Sequence, residues 1–204
     1  MVLCLFVFNF YIIQILGAVS FNRDISAWTV GRVTSMQSMF FEASSFNQDL
    51  SAWDVSRVTM VYYIFYRATS FDGDLTGWNL GKVTDLSSAP NSGYHTRSIF
   101  SGTSSLTGNV AGWNVSSVTA MDYLFQNKPS FDCDLSTWDV GRVTQMEAMF
   151  KSAKVFNGDV TTWRPREATR MHSMFQGAVS FNRDISAWTV GRVTSMQSMF
   201  FEAS

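Results

Sequence analysis

Residues 21–40 read FNRDISAWTVGRVTSMQSMF, and the same order of residue types returns six more times along the 204-residue chain. Residues 131–150, FDCDLSTWDVGRVTQMEAMF, keep nearly every column. The tryptophans mark the period. Trp28, Trp53, Trp78, Trp113, Trp138, Trp163 and Trp188 lie 25 residues apart, except for 35 between Trp78 and Trp113. A threonine (Thr34, Thr59, Thr84, Thr119, Thr144, Thr169, Thr194) and a late phenylalanine (Phe40, Phe65, Phe100, Phe125, Phe150, Phe175, Phe200) recur in every unit. Self-similarity at this period overrides a reading element by element, because one such unit cannot bury its apolar face alone and must stack on its neighbours.

Composition fits a packed array. Hydrophobic residues make up 46% of the chain and charged ones only 15%, which excludes a disordered protein and leaves few outward positions for charge. The length suits one domain with a real core. A net charge of −1 provides no field to draw in nucleic acid or an anionic membrane. Two cysteines, Cys4 and Cys133, are too few for a disulfide scaffold.

Residues 17–204 therefore form a seven-unit repeat region, with a ten-residue loop insertion within 87–98 whose Ser-Ala-Pro-Asn-Ser-Gly stretch is turn chemistry. Gly17–Ser44 and Gly177–Ser204 are identical, which indicates recent copying of a larger block. The chain stops in mid-unit at Ser204, as a piece of a longer array would. The Trp163 unit departs from the pattern, with Pro165 and Ala168 at positions that are Val or Leu elsewhere.

Within Thr34–Ala43, Met36, Met39, Phe40 and Ala43 fall at i, i+3, i+4 and i+7, which predicts one face of a short helix. Thr34/Gln37, Thr144/Glu147 and Thr194/Gln197 have the spacing of a capping box at its start. Phe46–Val55 lacks that period, and a short strand is expected near Asp49–Trp53. The expected architecture is an α/β repeat solenoid of leucine-rich-repeat-like coils, each with one short strand and one short helix. An all-β solenoid is the rival.

Residues 1–16, MVLCLFVFNFYIIQIL, carry no charge and break from the repeat. The segment reads as a signal or membrane anchor, although it lacks a basic n-region, or as a misread gene start. It offers the chain's sole route to a membrane and carries the expectation of a cell-surface or secreted protein.

Three columns are candidates for chemistry. Asp24, Asp49, Asp74, Asn109, Asp134, Asp159 and Asp184 form an acidic column, read as a structural ladder accepting turn N–H groups; calcium held between coils is the functional alternative. The tryptophan column is read as a core ladder rather than an outward stacking platform. Arg32, Arg57, Lys82, Arg142 and Arg192 stand just before the expected helix, where a cation opposes the helix dipole, so they form a possible ligand-facing column. Asp54 and Asp139 lie three residues earlier and are available as partners for Arg57 and Arg142. His95 and His172 have no second ligand at metal spacing and read as surface residues. The few residues outside the pattern cluster in the insertion (Tyr94, His95, Arg97), and no nucleophile–base pair or phosphate loop stands out. No enzyme, metal or cofactor is expected.

The unit F-N-x-D-[IL]-S-x-W-[DT]-V-x-x-V-T-x-M-x-x-M-F-x-x-A, clearest at 21–40, 46–53, 131–150 and 181–200, resembles the repeat of the BspA-like leucine-rich-repeat surface proteins. It is most similar to their 25-residue mycoplasma-lipoprotein-type form, and the resemblance spans about residues 17–204. It implies a surface or secreted solenoid that binds other proteins or host and matrix components without catalysis. The function expected is adhesion or protein–protein recognition, with a protein or an extracellular glycan as partner. A glycan-binding module and a repeat fragment with no selected activity are the alternatives.

Overall fold

The computed structural model describes residues 15–87 and 98–203. The expectations for residues 1–14 and for Tyr94, His95 and Arg97 in the insertion lie outside the described residues. Each repeat forms one layer, named here by its tryptophan: 21–43 is the Trp28 layer, 46–68 the Trp53 layer, 106–128 the Trp113 layer and 131–153 the Trp138 layer. Successive layers stack in parallel and in register. The bridges that join them are single residues: Ser35 with Met60, Asp85 with Ala120, Ala120 with Gln145, Gln145 with Arg170, and Arg170 with Ser195.

Among the described residues there is no helix, and paired β residues occur only as those isolated bridges. The expected α/β solenoid is overturned, and single bridges do not make the strands of an all-β solenoid either. The fold is mostly irregular and built from turns. In 34–43, where a helix was expected, the amide N–H groups go two ways. Met39, Phe41 and Ala43 donate to Met36, Ser38 and Phe40 three residues back, closing turns. Between them, Met36, Ser38, Phe40 and Glu42 donate to Met60, Tyr62, Ile64 and Tyr66 of the next layer, at 2.7–2.9 Å. Ser38 and Glu42 take φ of +57° and +58°, and equivalent residues repeat this in the Trp53, Trp113, Trp138 and Trp188 layers. A left-handed residue every four positions cannot belong to a right-handed helix.

Spacing explains the choice. Ring centroids in the late-phenylalanine column stack at 5.4–6.1 Å from layer to layer, and those of tryptophans 78 to 188 at 5.7–6.4 Å. Phe46, packed against Phe40 with ring centroids 4.0 Å apart, stacks on Phe71 at 5.8 Å. Packed helices need axes roughly 8–10 Å apart, so a helix in each layer would pry this stack open along one side. A chain that turns every three or four residues returns the same face inward at nearly helical spacing. Met36, Met39, Phe40 and Ala43 are all buried, so the periodicity names the inward face but not the element.

The segment Asp49–Trp53 is likewise a turn and not a strand, with the Trp53 amide donating to the Leu50 carbonyl at 3.1 Å. The threonines cap no helix. Thr119, Thr144, Thr169 and Thr194 each send both their amide and their hydroxyl to the carbonyl of the threonine one layer earlier.

The left-handed positions carry a prediction. The Glu42 column contains Gly17, Gly102 and Gly177, all at positive φ, but Ser152 holds φ +59° with a side chain. Ser152→Gly is expected to stabilise the protein by up to about 1 kcal/mol, because relief of left-handed strain exceeds glycine's added unfolded-state freedom. Urea unfolding measures this, and a loss of stability contradicts it.

Candidate functional site

The tryptophans line the interior. Trp53, Trp78, Trp113, Trp138, Trp163 and Trp188 are buried, and Trp28 in the first layer is partly so. Each of the six buried indoles donates Nε1–H to a backbone carbonyl of the layer before: Ile25, Leu50, Leu75, Val110, Leu135 and Val160, at 2.9–3.2 Å. The column thus fixes register as well as filling space, because a one-residue slip would leave six buried indole N–H groups without their acceptors.

The acidic column sits on the outside and closes local turns. Asp24, Asp49, Asp74, Asp134, Asp159 and Asp184 each accept the amide N–H two residues on, at 2.8–2.9 Å. Those bonds, first of all the backbone ones, hold the carboxyls of Asp24, Asp49, Asp159 and Asp184 below their ordinary value. Asn109 has another role, donating Nδ2 to the Asp72 carbonyl at 2.9 Å. Among the described residues no three His, Cys, Asp or Glu side chains come together as a metal group would require. Two of the glycines beside this column serve close packing between layers. A Cβ on Gly73 would lie 2.1 Å from the Gln48 carbonyl oxygen, and one on Gly158 would lie 1.8 Å from that of Cys133.

A second polar ladder carries no signal that residue type alone makes obvious. The side-chain oxygens of Asn22, Asn47, Asp72, Asp132 and Asn157 each accept the amide of the equivalent residue in the next layer, at 2.8–3.1 Å. The column reads Asn22, Asn47, Asp72, Thr107, Asp132, Asn157 and Asn182, but its bonds run between layers and so leave no local mark.

The basic column is exposed throughout: Arg32, Arg57, Lys82, Arg142 and Arg192 all face solvent. With no helix behind them, the argument from an opposed dipole falls away. Asp54 and Asp139 spend their carboxylates on the turn amides of Ser56 and Gly141. Arg57 adds only a minor pull to the lowered carboxyl of Asp54, after the Ser56 bonds. Among the described residues only Arg192 of the five forms an ion pair, with Glu167, which stands in the same column one layer earlier.

The residues outside the pattern that do meet are on another face. Asp122, Tyr123, Glu147, Arg170 and His172 come from three consecutive layers. Arg170 lies 2.7 Å from Glu147 and 3.6 Å from Asp122; His172 Nε2 lies 2.7 Å from Glu147 Oε1, which also accepts the Tyr123 hydroxyl. Asp122 Oδ1 accepts the Glu147 amide at 2.7 Å. His172 is therefore part of a lateral clasp between layers rather than an isolated surface residue. Glu147, its centre, has both oxygens engaged. The arrangement joins layers and positions no free nucleophile.

Burial pushes the Asp122 carboxyl up to about 6, against the pull of the Glu147 amide and Arg170. A raised carboxyl favours folding most below its ordinary value, near pH 4, and that contribution is lost as pH rises through about 6. Asp122→Asn keeps an acceptor for the Glu147 amide and is expected to add about 1–2 kcal/mol at pH 7.5. Near pH 4 it is expected to add almost nothing. Urea unfolding at the two pH values checks this, and an equal effect at both contradicts it.

Stacked layers with an aromatic interior and periodic outer columns define a tandem-repeat protein whose distinctive surface chemistry is arranged by layer. A family model described as Mycoplasma protein of unknown function, DUF285, matches residues 14–95 and again 94–204. The chain belongs to that family, and the two matches meet within the inserted segment. No curated protein and no solved structure matches the chain.

Proposed function

We propose that this protein is a non-enzymatic recognition surface, presented at the cell exterior or secreted, that adheres to a partner protein across several layers at once. The observation that carries this reading is the basic column. Arg32, Arg57 and Lys82 stand exposed on consecutive layers, while the nearby Asp54 is tied into its own turn. Equal charges repeated at layer spacing suit an extended acidic partner, because each added layer adds a contact of the same kind. The likeness of the unit to BspA-like surface repeats supports the same reading.

An anionic glycan is the second reading, favoured by the same exposed cations. Membrane-impermeant biotinylation of intact cells tests location: labelling of this chain beside an unlabelled cytosolic control is expected. Binding of the purified protein to acidic matrix proteins and to a glycan array, with and without Arg32→Ser/Arg57→Ser/Lys82→Ser, tests the surface. Salt-sensitive binding to a protein, lost in the triple variant, is expected. Binding confined to glycans replaces this reading with the second, and binding that survives the triple variant removes the column from both.

A further inference from the structure

The joint between the Trp78 and Trp113 layers differs from the others. At the remaining joints the residues equivalent to Phe40 and Glu42 donate their amides across: Phe65 to Ile99 and Arg67 to Ser101, Phe125 to Met149 and Asn127 to Lys151, Phe150 to Met174 and Ser152 to Gln176, Phe175 to Met199 and Gly177 to Phe201. Here neither the Phe100 to Leu124 bond nor the Gly102 to Gln126 bond is made. Side chains take the two carbonyls instead. Ser98 Oγ donates to Leu124 at 3.2 Å, and Lys128 Nζ donates to Gln126 at 3.1 Å.

Lys128 occupies a column that is alanine at 43, 68, 153, 178 and 203 and threonine at 103. It is only 2% exposed, and among the described residues no carboxylate pairs with it. Burying an ammonium without a counter-charge is costly, so a lysine in an alanine column calls for an anion. Lys128 also lines a groove of about 410 Å³ that crosses three layers at this corner, together with Arg67, Ser101, Gly102, Ser104 and Asn127. Gly102, exposed and at φ +82°, leaves the middle of the groove without a side chain. The groove therefore brings together an ammonium with protons to spare, an amide N–H released from its ladder bond, and small hydroxyl residues.

We propose that this notch binds a small oxyanion group, a carboxylate or a phosphate, with Lys128 as its charged anchor and the Gly102 amide as a second donor. The anion replaces the missing counter-charge and draws the opened joint together through donors on both layers. Burial lowers the Lys128 ammonium to about 8, so affinity falls as pH rises past that value.

The test is calorimetric titration of the whole chain with inorganic phosphate and, separately, with glucuronate, at constant ionic strength set with sodium chloride. Saturable binding is expected for at least one. It should weaken about tenfold or more in Lys128→Met, which keeps the stem and loses the charge, and stay unchanged in Lys154→Met on the surface. Phosphate alone identifies a phosphate-bearing ligand, glucuronate alone a carboxylate, and both together a site that reads only the shared oxyanion. If Lys128→Met does not fold, the Lys128 side-chain titration is followed by NMR in the intact protein with and without the anion. A higher titration midpoint with the anion supports the site. No saturable binding, equal binding in Lys128→Met, or an unmoved midpoint overturns it.

Discussion

Replacing Trp113 with alanine is expected to cost about 5 kcal/mol, enough to break the stack at its middle. Its ring stacks on Trp78 at 6.3 Å and on Trp138 at 6.0 Å, and its indole serves the Leu75 carbonyl. Removal leaves a cavity against both neighbours and takes away the indole bond that joins the two layers at the Leu75 carbonyl, which keeps only the Trp78 amide. Because a repeat array is held by nearest-neighbour contacts, the loss should uncouple the layers on either side and broaden the urea transition. Trp113→Phe refills most of the space and should cost about 2 kcal/mol, for the smaller ring and the lost indole bond between layers. Trp28→Ala, in the partly buried first layer, should cost about 1–2 kcal/mol. Equal costs at Trp28 and Trp113 would contradict a core organised as a column.

The second large effect comes with an internal control. Phe40 and Phe200 occupy the same place in two identical 28-residue stretches, yet Phe40 is 0% exposed and Phe200 is 47% exposed. Within these 204 residues the difference is the neighbouring layer: Phe65 covers Phe40 at 5.5 Å, while Phe200 rests on Phe175 from one side. In the 204-residue chain, Phe40→Ala is expected to cost about 4 kcal/mol and Phe200→Ala about 1–1.5 kcal/mol. Identical local sequence removes propensity and turn chemistry from the comparison, so the gap measures what one layer contributes to another. Paired urea denaturation curves give the answer. A gap below about 1 kcal/mol would mean that local structure, and not stacking, stabilises the unit.

These two residues also show how far the sequence could be read. The period, the inward columns and the stacking of units all follow from Trp28 to Trp188 and their neighbours, because burial by repetition leaves a mark at fixed spacing. The element inside each unit was not legible. Met36, Met39, Phe40 and Ala43 look helical by spacing, and only the destination of each amide, within the layer or across it, separates a helix from a run of turns. That destination depends on residues 24 or 25 positions away. Thr144 shows the same gap. As a helix cap it would have bonded within its own unit, but it bonds to Thr119. On the surface, the basic column is exposed, but no helix stands behind it among the described residues. The clasp around Glu147 and the notch at Lys128 were hidden for a related reason. Each assembles residues that depart from the consensus in different units, and a consensus conceals its own exceptions.

Turn-built layers, coupled in register through equivalent residues of successive repeats, replace a helix in each unit. Isotope-resolved NOE spectroscopy of residues 119–176 tests this most directly, since that stretch includes Thr119, Thr144 and Thr169 and lies outside the two identical blocks. Contacts linking Thr119 with Thr144 and Thr144 with Thr169 are predicted, together with couplings that place Ala148 and Ser152 at positive φ. A continuous run of Hα-to-amide contacts three residues apart from Thr144 to Ala153, with helical carbon shifts, would contradict the account.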